Sequence, residues 1–338
     1  MSSMKTKIAI NGFGRIGRNI LRAIIEGDNN LDVIAINDSG LIDTNIHLLK
    51  YDSIHGKMNN EIKIVEKNII SVDGQNIIKL SDKDPKNLPW KELGIDIVLE
   101  CTGKFNNKEG SLMHLSSGAK RVLISAPARE SHITAVYGVN HRDIDANHTI
   151  ISNASCTTNA LAPLAMVLND SIGIETAFMT TIHSYTGDQP TLDRNHKDLY
   201  RARSAGQSII PTSTGAASAV GEVIPALKGK IDGVAMRVPT PNVSVIDLKI
   251  VASRMTSIDE VNSLFNNAAN SDLKGILSIT NEKLVSIDIN HDPHSAVIAM
   301  DQTKVLNKKF VRVMAWYDNE WGFSHRMCDM ADHIGQII

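Results

Sequence analysis

A single cysteine, Cys156, lies in a run of hydroxyl and amide side chains, Ser152–Asn159, directly before a segment predicted to be helical, Ala160–Leu168. The positive end of a helix dipole lowers the pKa of a thiol, and the thiolate is the reactive form of cysteine. Further along the chain, the polar segment Thr180–Thr186 supplies His183, a residue able to take or hold the proton. The sequence therefore predicts a cysteine nucleophile assisted by a histidine.

A glycine-rich turn, Gly12-Phe13-Gly14-Arg15-Ile16-Gly17, connects a predicted strand to a predicted helix. Gly12 would allow the tight turn, Gly14 would let the backbone approach a pyrophosphate, and Gly17 would let the helix pack on the strand. The N–H groups at the helix N-terminus would then face the phosphate oxygens. Taken alone, the motif would also suit a turn that binds no ligand.

Asp38 adds the context that favours a dinucleotide. It closes the next predicted strand about twenty residues past the last glycine, where a carboxylate can accept hydrogen bonds from the adenosine ribose hydroxyls. A cap or turn is the alternative use of this aspartate. The strand–turn–helix–strand order predicts NAD as the cofactor.

The elements around these motifs follow two different patterns. Up to about residue 155, short apolar strands alternate with helices, which predicts an α/β unit with a doubly wound parallel sheet. Its predicted elements are strands Lys7–Ile10, Asp32–Ile36, Ile95–Leu99 and Arg121–Ser125 and helices Arg18–Glu26 and Lys108–Leu115. Beyond Cys156 the predicted strands are longer, Ala177–His183, Gly233–Val238, Val243–Val251 and Val311–Trp316, with an amphipathic helix at Asp259–Ala269. We place the domain boundary near Ser155 and predict a long ordered loop over Tyr185–Gly206.

Composition limits the classes of partner. With 338 residues the chain can form two cores, and its net charge of −2, with scattered Lys and Arg, argues against nucleic acid and membrane partners. Three widely spaced cysteines form neither a disulfide framework nor a metal-ligand cluster, so we expect no metal. Cys101 and Cys328 lie in apolar surroundings and are interpreted as inert. The polar segment Met1–Lys7 precedes an apolar run too short for a signal peptide, which predicts a soluble, cytoplasmic protein.

These segments together resemble the phosphorylating glyceraldehyde-3-phosphate dehydrogenases of bacterial type, and the resemblance covers essentially the whole chain. It implies a Rossmann-type NAD-binding domain formed by residues 1–155 plus 319–338. The catalytic and tetramerisation domain, residues 156–318, would be an α+β unit on a mostly antiparallel sheet. The last helix, predicted over Phe323–Ile337, would return to the cofactor domain. A homotetramer is implied, with the loop Tyr185–Gly206 packed against a neighbouring subunit.

The resemblance also implies roles for residues around the cysteine. The Cys156 thiolate would add to the aldehyde of glyceraldehyde 3-phosphate, His183 would pair with it and act as base, and inorganic phosphate would attack the resulting thioester. Thr186, Arg237 and Asp188 would surround the substrate phosphate, with Asp188 orienting its neighbours. The inorganic phosphate would contact Ser155, Thr157, Thr214 and Gly215, with Arg201 between the two anions. Further NAD contacts are implied for Arg15, Ile16, Lys83, Thr102, Ser125 and, at the nicotinamide carboxamide, Asn319.

Some positions depart from the family pattern. Ser39, after Asp38, and Asn195, where strictly NAD-specific members tend to carry proline, resemble members that also accept NADP. Weak NADP use therefore accompanies the prediction of NAD. Ser218 and Ala160 replace a lysine and a cysteine at positions that do not touch the substrate.

Two other functions stay open. One is erythrose-4-phosphate dehydrogenase, which shares the cysteine–histidine pair but acts on a longer sugar and releases the acid by hydrolysis. The other is a non-catalytic binding or redox-sensing protein on the same fold.

Overall fold

A computed structural model describes Lys5–Ile338, so the polar N-terminal segment noted above is described only from Lys5 onward. Within this range the chain forms two compact units. The first contains residues 5–135, His141–Ser155 and Ser324–Ile338, and the second contains Val136–Asn140 and Cys156–Phe323. No helix among the described residues is long and apolar enough to cross a bilayer.

The first unit is built on a largely parallel sheet. The strands of this unit are β1 (Thr6–Asn11), β2 (Leu31–Asn37), β3 (Tyr51–Asp52), β4 (Gly56–Lys57), β5 (Ile62–Glu66), β6 (Ile69–Val72), β7 (Gln75–Leu80), β8 (Ile97–Glu100), β9 (Arg121–Ile124), β10 (Ile133–Thr134) and β11 (Ile150–Ser152). The short strands β3 and β4 form a separate antiparallel pair. The sheet order is β10-β11-β9-β8-β1-β2-β7-β6-β5, parallel from β10 to β7. The strand order reverses at β1, since β2 lies on one side of it and β8 on the other. Crevices for ligands form at such a switch point, at the carboxyl ends of the strands.

Helices connect these strands, and apolar strand residues fill the core. The helices are α1 (Arg15–Glu26), α2 (Ile42–Lys50), α3 (Trp90–Leu93) and α4 (Lys108–Ser116). Ile8, Ile10 and Ile36 on the central strands are fully buried, as parallel strands covered on both faces require.

The second unit is built on a mostly antiparallel sheet. Its elements are α5 (Cys156–Ile172), β12 (Ile174–Ser184), β13 (Ile210–Thr212), α6 (Ala216–Val223), β14 (Ile231–Val238), β15 (Ser244–Ala252), α7 (Ile258–Asn270), β16 (Leu277–Thr280), β17 (Ala296–Ala299), β18 (Lys304–Leu306) and β19 (Phe310–Tyr317). The sheet order is β13-β14-β12-β15-β19-β17-β16, with β18 also on β19. The long central strand β12 pairs in parallel with β14 and antiparallel with β15. The C-terminal helix, α8, covers Trp321–Gly335.

The predicted fold class is confirmed. The strands and helices predicted from the sequence are present with ends shifted by a few residues, and the described chain contains no helix or strand between β12 and β13, where the long loop was predicted. Elements not predicted from the sequence are α2, α3, α6, the short strands β3, β4, β10, β11 and β13, the β5–β7 meander and β16–β18.

Candidate active site

Cys156 is the first residue of α5, so its side chain lies at the positive end of a helix of seventeen residues with no acidic side chain in its first turn. The backbone two residues earlier is unusual, because Ala154 is buried with a φ of +54°, in the left-handed region. The Cys156 Sγ lies 3.5 Å from Nε2 of His183. The structure thus brings together the two predicted catalytic side chains.

His183 is positioned by the pairing of β12 with β14. The register places it opposite Arg237, whose Nη1 lies 3.0 Å from the His183 Nδ1 atom. The carbonyl oxygen of Ser184 is 2.7 Å from Nδ1 and also accepts a hydrogen bond of 2.8 Å from Arg237. Because a carbonyl can only accept, Nδ1 carries the proton of the neutral ring. The other ring nitrogen, Nε2, then faces the sulfur as an acceptor.

Burial disfavours charge on both members of this pair. Burial raises the pKa of the Cys156 thiol above its ordinary value, with the Arg237 cation and hydrogen bonds at Thr157 acting in the opposite direction. For His183, burial and then the Arg237 cation lower the pKa to about 3. The sequence analysis expected a lowered thiol pKa and a thiolate–imidazolium pair. In the structure the two pKa shifts run the other way and favour a neutral thiol beside a neutral imidazole, because burial disfavours the charged form of each group.

A buried tyrosine ties the cysteine helix to the histidine strand. The hydroxyl of Tyr317, at the end of β19, lies 2.9 Å from Thr157 Oγ1 and 2.8 Å from Thr181 Oγ1. Its ring also meets His183 edge to face, with ring centroids 5.9 Å apart. Sequence reasoning missed Tyr317, although a tyrosine at the end of an apolar strand could have been recognised as a candidate for a buried hydroxyl.

Cations and hydroxyls surround the pair. Arg237 Nη1 also lies 3.5 Å from Thr186 Oγ1. Arg201 is held by Asp188 at 3.2 Å and donates from Nε to Thr212 Oγ1 at 3.0 Å. A further Arg201 nitrogen lies 3.5 Å from the Ser213 carbonyl, next to Thr214 and Gly215 at the start of α6. These two arginines form an environment suited to anions.

Asn319 has one orientation fixed by its neighbours. Its side-chain oxygen accepts hydrogen bonds of 2.8 Å from both Ser184 Oγ and Ser244 Oγ. The preceding residue, Asp318, is almost fully buried, and its carboxylate accepts four hydrogen bonds, from Glu320 N, Trp321 N, His291 N and Asn242 Nδ2. With its oxygen committed, the Asn319 amide group can recognise a ligand only as a donor.

In the first unit, the predicted glycine turn borders a cavity of about 270 Å³. Gly12 has a φ of +95°, and a Cβ there would lie 2.7 Å from the Thr102 nitrogen. A Cβ on Gly17 would lie 2.1 Å from the Gly12 oxygen, whereas one on Gly14 would meet no atom within 4 Å. The first and third glycines are therefore required by packing, and the second keeps the approach to the helix N-terminus open.

Asp38 lines the same cavity. Its carboxylate accepts hydrogen bonds from Phe13 N, Gly40 N and Asn45 Nδ2. These hydrogen bonds and the nearby Lys79 ammonium outweigh burial and lower the pKa of Asp38, so it is ionised. Since a carboxylate offers about four acceptor positions, one stays available for a ligand hydroxyl.

Some of the predicted cofactor residues line the cavity of the first unit, and others lie outside its lining. Gly12, Gly14, Asp38, Lys83 and Thr102 line the cavity, and so does Ser39, which the sequence linked to the use of NADP. Sequence reasoning missed the other lining residues: Asn11, Asn37, Asp82, Cys101, Lys104 and Phe105. Most of the missed residues end or follow a parallel strand, a position that could have identified them.

Five predicted cofactor residues are not among the lining residues. Arg15 forms a paired salt bridge with Asp52, with nitrogen–oxygen distances of 2.8 and 3.1 Å. The Ser125 hydroxyl donates to the Glu100 carbonyl. Ile16 and Gly17 lie in the first turns of α1. Asn319 belongs to the second unit.

A dinucleotide-type sheet with a glycine turn, and a separate unit carrying a thiol–imidazole pair among arginines, are features of an NAD-dependent oxidoreductase. Family models agree with this class. Residues 6–108 match the glyceraldehyde 3-phosphate dehydrogenase NAD binding domain, and residues 155–319 match the C-terminal domain of the same family.

Curated relatives extend the match over nearly the whole chain. The sequence is 58% identical over 336 residues to glyceraldehyde-3-phosphate dehydrogenase from Xanthobacter flavus, covering 99% of this chain and 100% of that one. It is 56% identical to the Cereibacter sphaeroides protein of the same name, with 99% and 100% covered, and 50% identical to glyceraldehyde-3-phosphate dehydrogenase 2 of Bacillus subtilis, with 98% and 97% covered. The chain belongs to the glyceraldehyde-3-phosphate dehydrogenase family.

Proposed function

We propose that this protein converts D-glyceraldehyde 3-phosphate, inorganic phosphate and NAD to 1,3-bisphosphoglycerate and NADH through a covalent thioester on Cys156. The observation that carries the proposal is the 3.5 Å approach of the Cys156 sulfur to an unprotonated imidazole nitrogen, beside Arg237. This arrangement supplies a nucleophile and a base, with fixed positive charge for the oxygen of an aldehyde.

The first step forms a bond between sulfur and the aldehyde carbon. Because both groups rest in neutral form, the thiol proton passes to Nε2 of His183 as the sulfur attacks, and the imidazolium then donates to the new oxyanion. The resulting hemithioacetal carries the hydrogen that leaves as hydride. As the hydride leaves, His183 takes the hydroxyl proton, and the carbon becomes the carbonyl of a thioester.

The last step releases the product. An oxygen of inorganic phosphate attacks the thioester carbonyl and the carbon–sulfur bond breaks. The sulfur leaves as a thiolate, which takes back the proton held by His183. We assign the substrate phosphate to Thr186, Arg237 and the Asp188-held Arg201. The inorganic phosphate is assigned to Ser155, Thr157, Thr214 and Gly215. Guanidinium groups and hydroxyls suit phosphate oxygens because they combine charge with directed donors.

The residues of the first unit suit NAD. When bound, NAD supplies the acceptor for the hydride. Gly12 and Gly14 would let its pyrophosphate approach the start of α1, and the remaining acceptor position of Asp38 would hold a ribose hydroxyl. The Asn319 amide, restricted to donating, would fix the carboxamide oxygen. Weak use of NADP, a homotetrameric assembly and a cytoplasmic location complete the proposal.

The alternatives predict different products. Erythrose-4-phosphate dehydrogenase would release an acid by hydrolysis, without phosphate in the reaction. A redox-sensing protein would show a reactive thiol but no substrate-dependent formation of NADH. The arginine and hydroxyl groups around Cys156 favour the phosphorylating enzyme over both.

The test is an assay of NADH formation from glyceraldehyde 3-phosphate with and without inorganic phosphate. Sustained turnover should require phosphate, and Cys156→Ser should lose at least about a thousandfold in kcat, since a serine hydroxyl is not deprotonated by this histidine at neutral pH. Cys328→Ser is the matched control, because Cys328 is buried in α8. Turnover that ignores phosphate, or an active Cys156→Ser enzyme, would rule the proposal out.

A further inference from the structure

Lys79, on β7, is a buried lysine without a carboxylate partner. It is 5% exposed, and its Nζ donates hydrogen bonds to the backbone oxygens of Asp38, at 2.5 Å, and Leu80, at 2.8 Å. Among the described residues, no Asp or Glu side chain forms an ion pair with it. Lysine is rarely buried so fully unless it is paired, and its position therefore calls for an explanation.

The ammonium lies directly behind the cofactor cavity. β7 is the neighbour of β2, and the two carbonyls that Lys79 binds belong to the residues at or just past the ends of these strands. Asp38, Ser39, Asp82 and Lys83 line the cavity at this point, whereas Lys79 does not. Any influence of Lys79 on a ligand therefore passes through its charge rather than through contact.

The charges of Lys79 and Asp38 act on one another. The Lys79 ammonium contributes to the lowered pKa of Asp38. Burial lowers the pKa of Lys79, and Asp38 raises it. A buried charge is screened less by water and salt than a surface charge, so its field reaches further into the cavity.

We propose that Lys79 is a specificity-determining residue, whose buried positive charge offsets the repulsion between Asp38 and the 2′-phosphate of NADP. NAD has an uncharged hydroxyl at this place, so its binding is nearly indifferent to Lys79. NADP carries a dianionic phosphate, so its binding depends on the sum of the neighbouring charges. This inference rests on the cofactor assignment of the proposed function and names the residue that admits the second cofactor.

The experiment uses fragments that probe only the adenosine end of the cavity. Titration calorimetry of the whole protein with ADP-ribose and with 2′-phospho-ADP-ribose gives two dissociation constants and one ratio. Lys79→Gln keeps donors for the two carbonyls and removes the charge. It should weaken 2′-phospho-ADP-ribose about tenfold, while the ADP-ribose value stays within about twofold.

Two further variants separate charge from structure. Lys79→Arg keeps the charge and should keep the wild-type ratio even if it lowers both affinities. Lys63→Gln, on exposed β5, removes a lysine of the same unit that pairs at the surface with Glu61 and should change neither constant.

The outcomes are distinct. Equal weakening of both fragments by Lys79→Gln, or a wild type that does not bind 2′-phospho-ADP-ribose, would overturn the inference. A protein that shows the expected ratio but forms no NADH from glyceraldehyde 3-phosphate would refute the proposed function and leave Lys79 in its role.

Discussion

At the scale of single residues, the active pair differs from the one that the sequence suggests. The residue types and the helix end predict a charged pair, whereas burial of Cys156 and His183 favours the neutral forms. Arg237 is the first of the groups that oppose burial at the sulfur, and it adds to the effect of burial at the imidazole. Charge at this site therefore depends on an arginine on a neighbouring strand more than on the cysteine–histidine contact.

Alkylation kinetics separate the two interpretations. Arg237→Met should raise the pKa of Cys156 further and slow its reaction with iodoacetamide at pH 8, about tenfold for each unit of pKa. His183→Asn should slow alkylation less than Arg237→Met does, although it should slow hydride transfer by orders of magnitude because the base is lost. Rates measured against pH give both pKa values.

Arg201→Met is the control for this series, because Arg201 lies in the same cluster but is not among the groups that lower the Cys156 pKa. A His183→Asn variant whose alkylation slows as much as that of Arg237→Met would restore the thiolate–imidazolium pair predicted from the sequence.

At the scale of elements, the start of α8 depends on one buried carboxylate. Asp318 accepts from two amides at the start of the helix and from two donors on other segments, and it precedes Asn319. Asp318→Asn keeps the shape but turns an NH₂ group toward two donors. Leaving such groups unpaired should cost about 2–4 kcal/mol in free energy of unfolding and weaken NAD binding through Asn319.

Urea unfolding and NAD titration measure these two effects. Asp301→Asn, at an exposed aspartate, is the control and should stay within about 0.5 kcal/mol of wild type. Equal stability of the two variants would show that Asp318 is not what anchors the helix.

Elements differed in how far the sequence could predict them. The helix from Cys156 was predicted only from Ala160, because Ser, Thr and Asn favour caps and turns over helix interiors, yet they form the first turn of α5. The β6–β7 hairpin had a readable signal, since Asp73-Gly74 joins the strands with both φ values positive. Asn319 could be placed by resemblance, but the pairing of its oxygen with Ser184 and Ser244 depends on strand register. The role of Lys79 depends on burial, which periodicity alone does not give.

At the scale of the whole molecule, one buried and one partly buried histidine contribute to the response to acid. The pKa of His183 is about 3, and burial, His333 and Arg142 lower that of His141 to about 4, both below the ordinary value of 6.5. A lowered histidine pKa means that the unfolded chain binds more protons between these values and pH 6.5. The contribution of these two histidines to the free energy of unfolding is fully present above pH 6.5, and it should fall as the pH drops from 6.5 toward 4.

His141→Asn should reduce the slope of the free energy of unfolding against pH in this range. The reduction should be less than about 1.4 kcal/mol per pH unit, which is the slope for uptake of one proton, because His141 is only partly buried. Guanidinium unfolding midpoints between pH 7 and 4.5 measure the slope. His132→Asn, at an exposed histidine, is the control for the substitution itself. A His141→Asn variant as acid-sensitive as wild type would show that His141 does not contribute to the loss of stability at low pH.

The expected assembly of four subunits is also a property of the whole molecule. The loop between β12 and β13 exposes Leu192 at 72% and Leu199 at 82%, apolar surface that a neighbouring subunit could cover. Light scattering should give four times the mass of one chain. Leu192→Asp with Leu199→Asp should dissociate the assembly and lower activity, whereas Leu306→Asp, also exposed but outside the loop, tests whether any exposed leucine has this effect. A fully active monomeric wild type would contradict the tetramer.

The carbonyl of Ser184 serves two donors at once, His183 Nδ1 and Arg237 Nη1. It can hold the ring upright, but it cannot shield an imidazolium from a guanidinium 3.0 Å away. The neighbouring guanidinium therefore disfavours a proton on Nε2, which favours its return to the reacting oxygen or to the departing sulfur. His183 would act as a relay within each turnover rather than as a store of protons between turnovers.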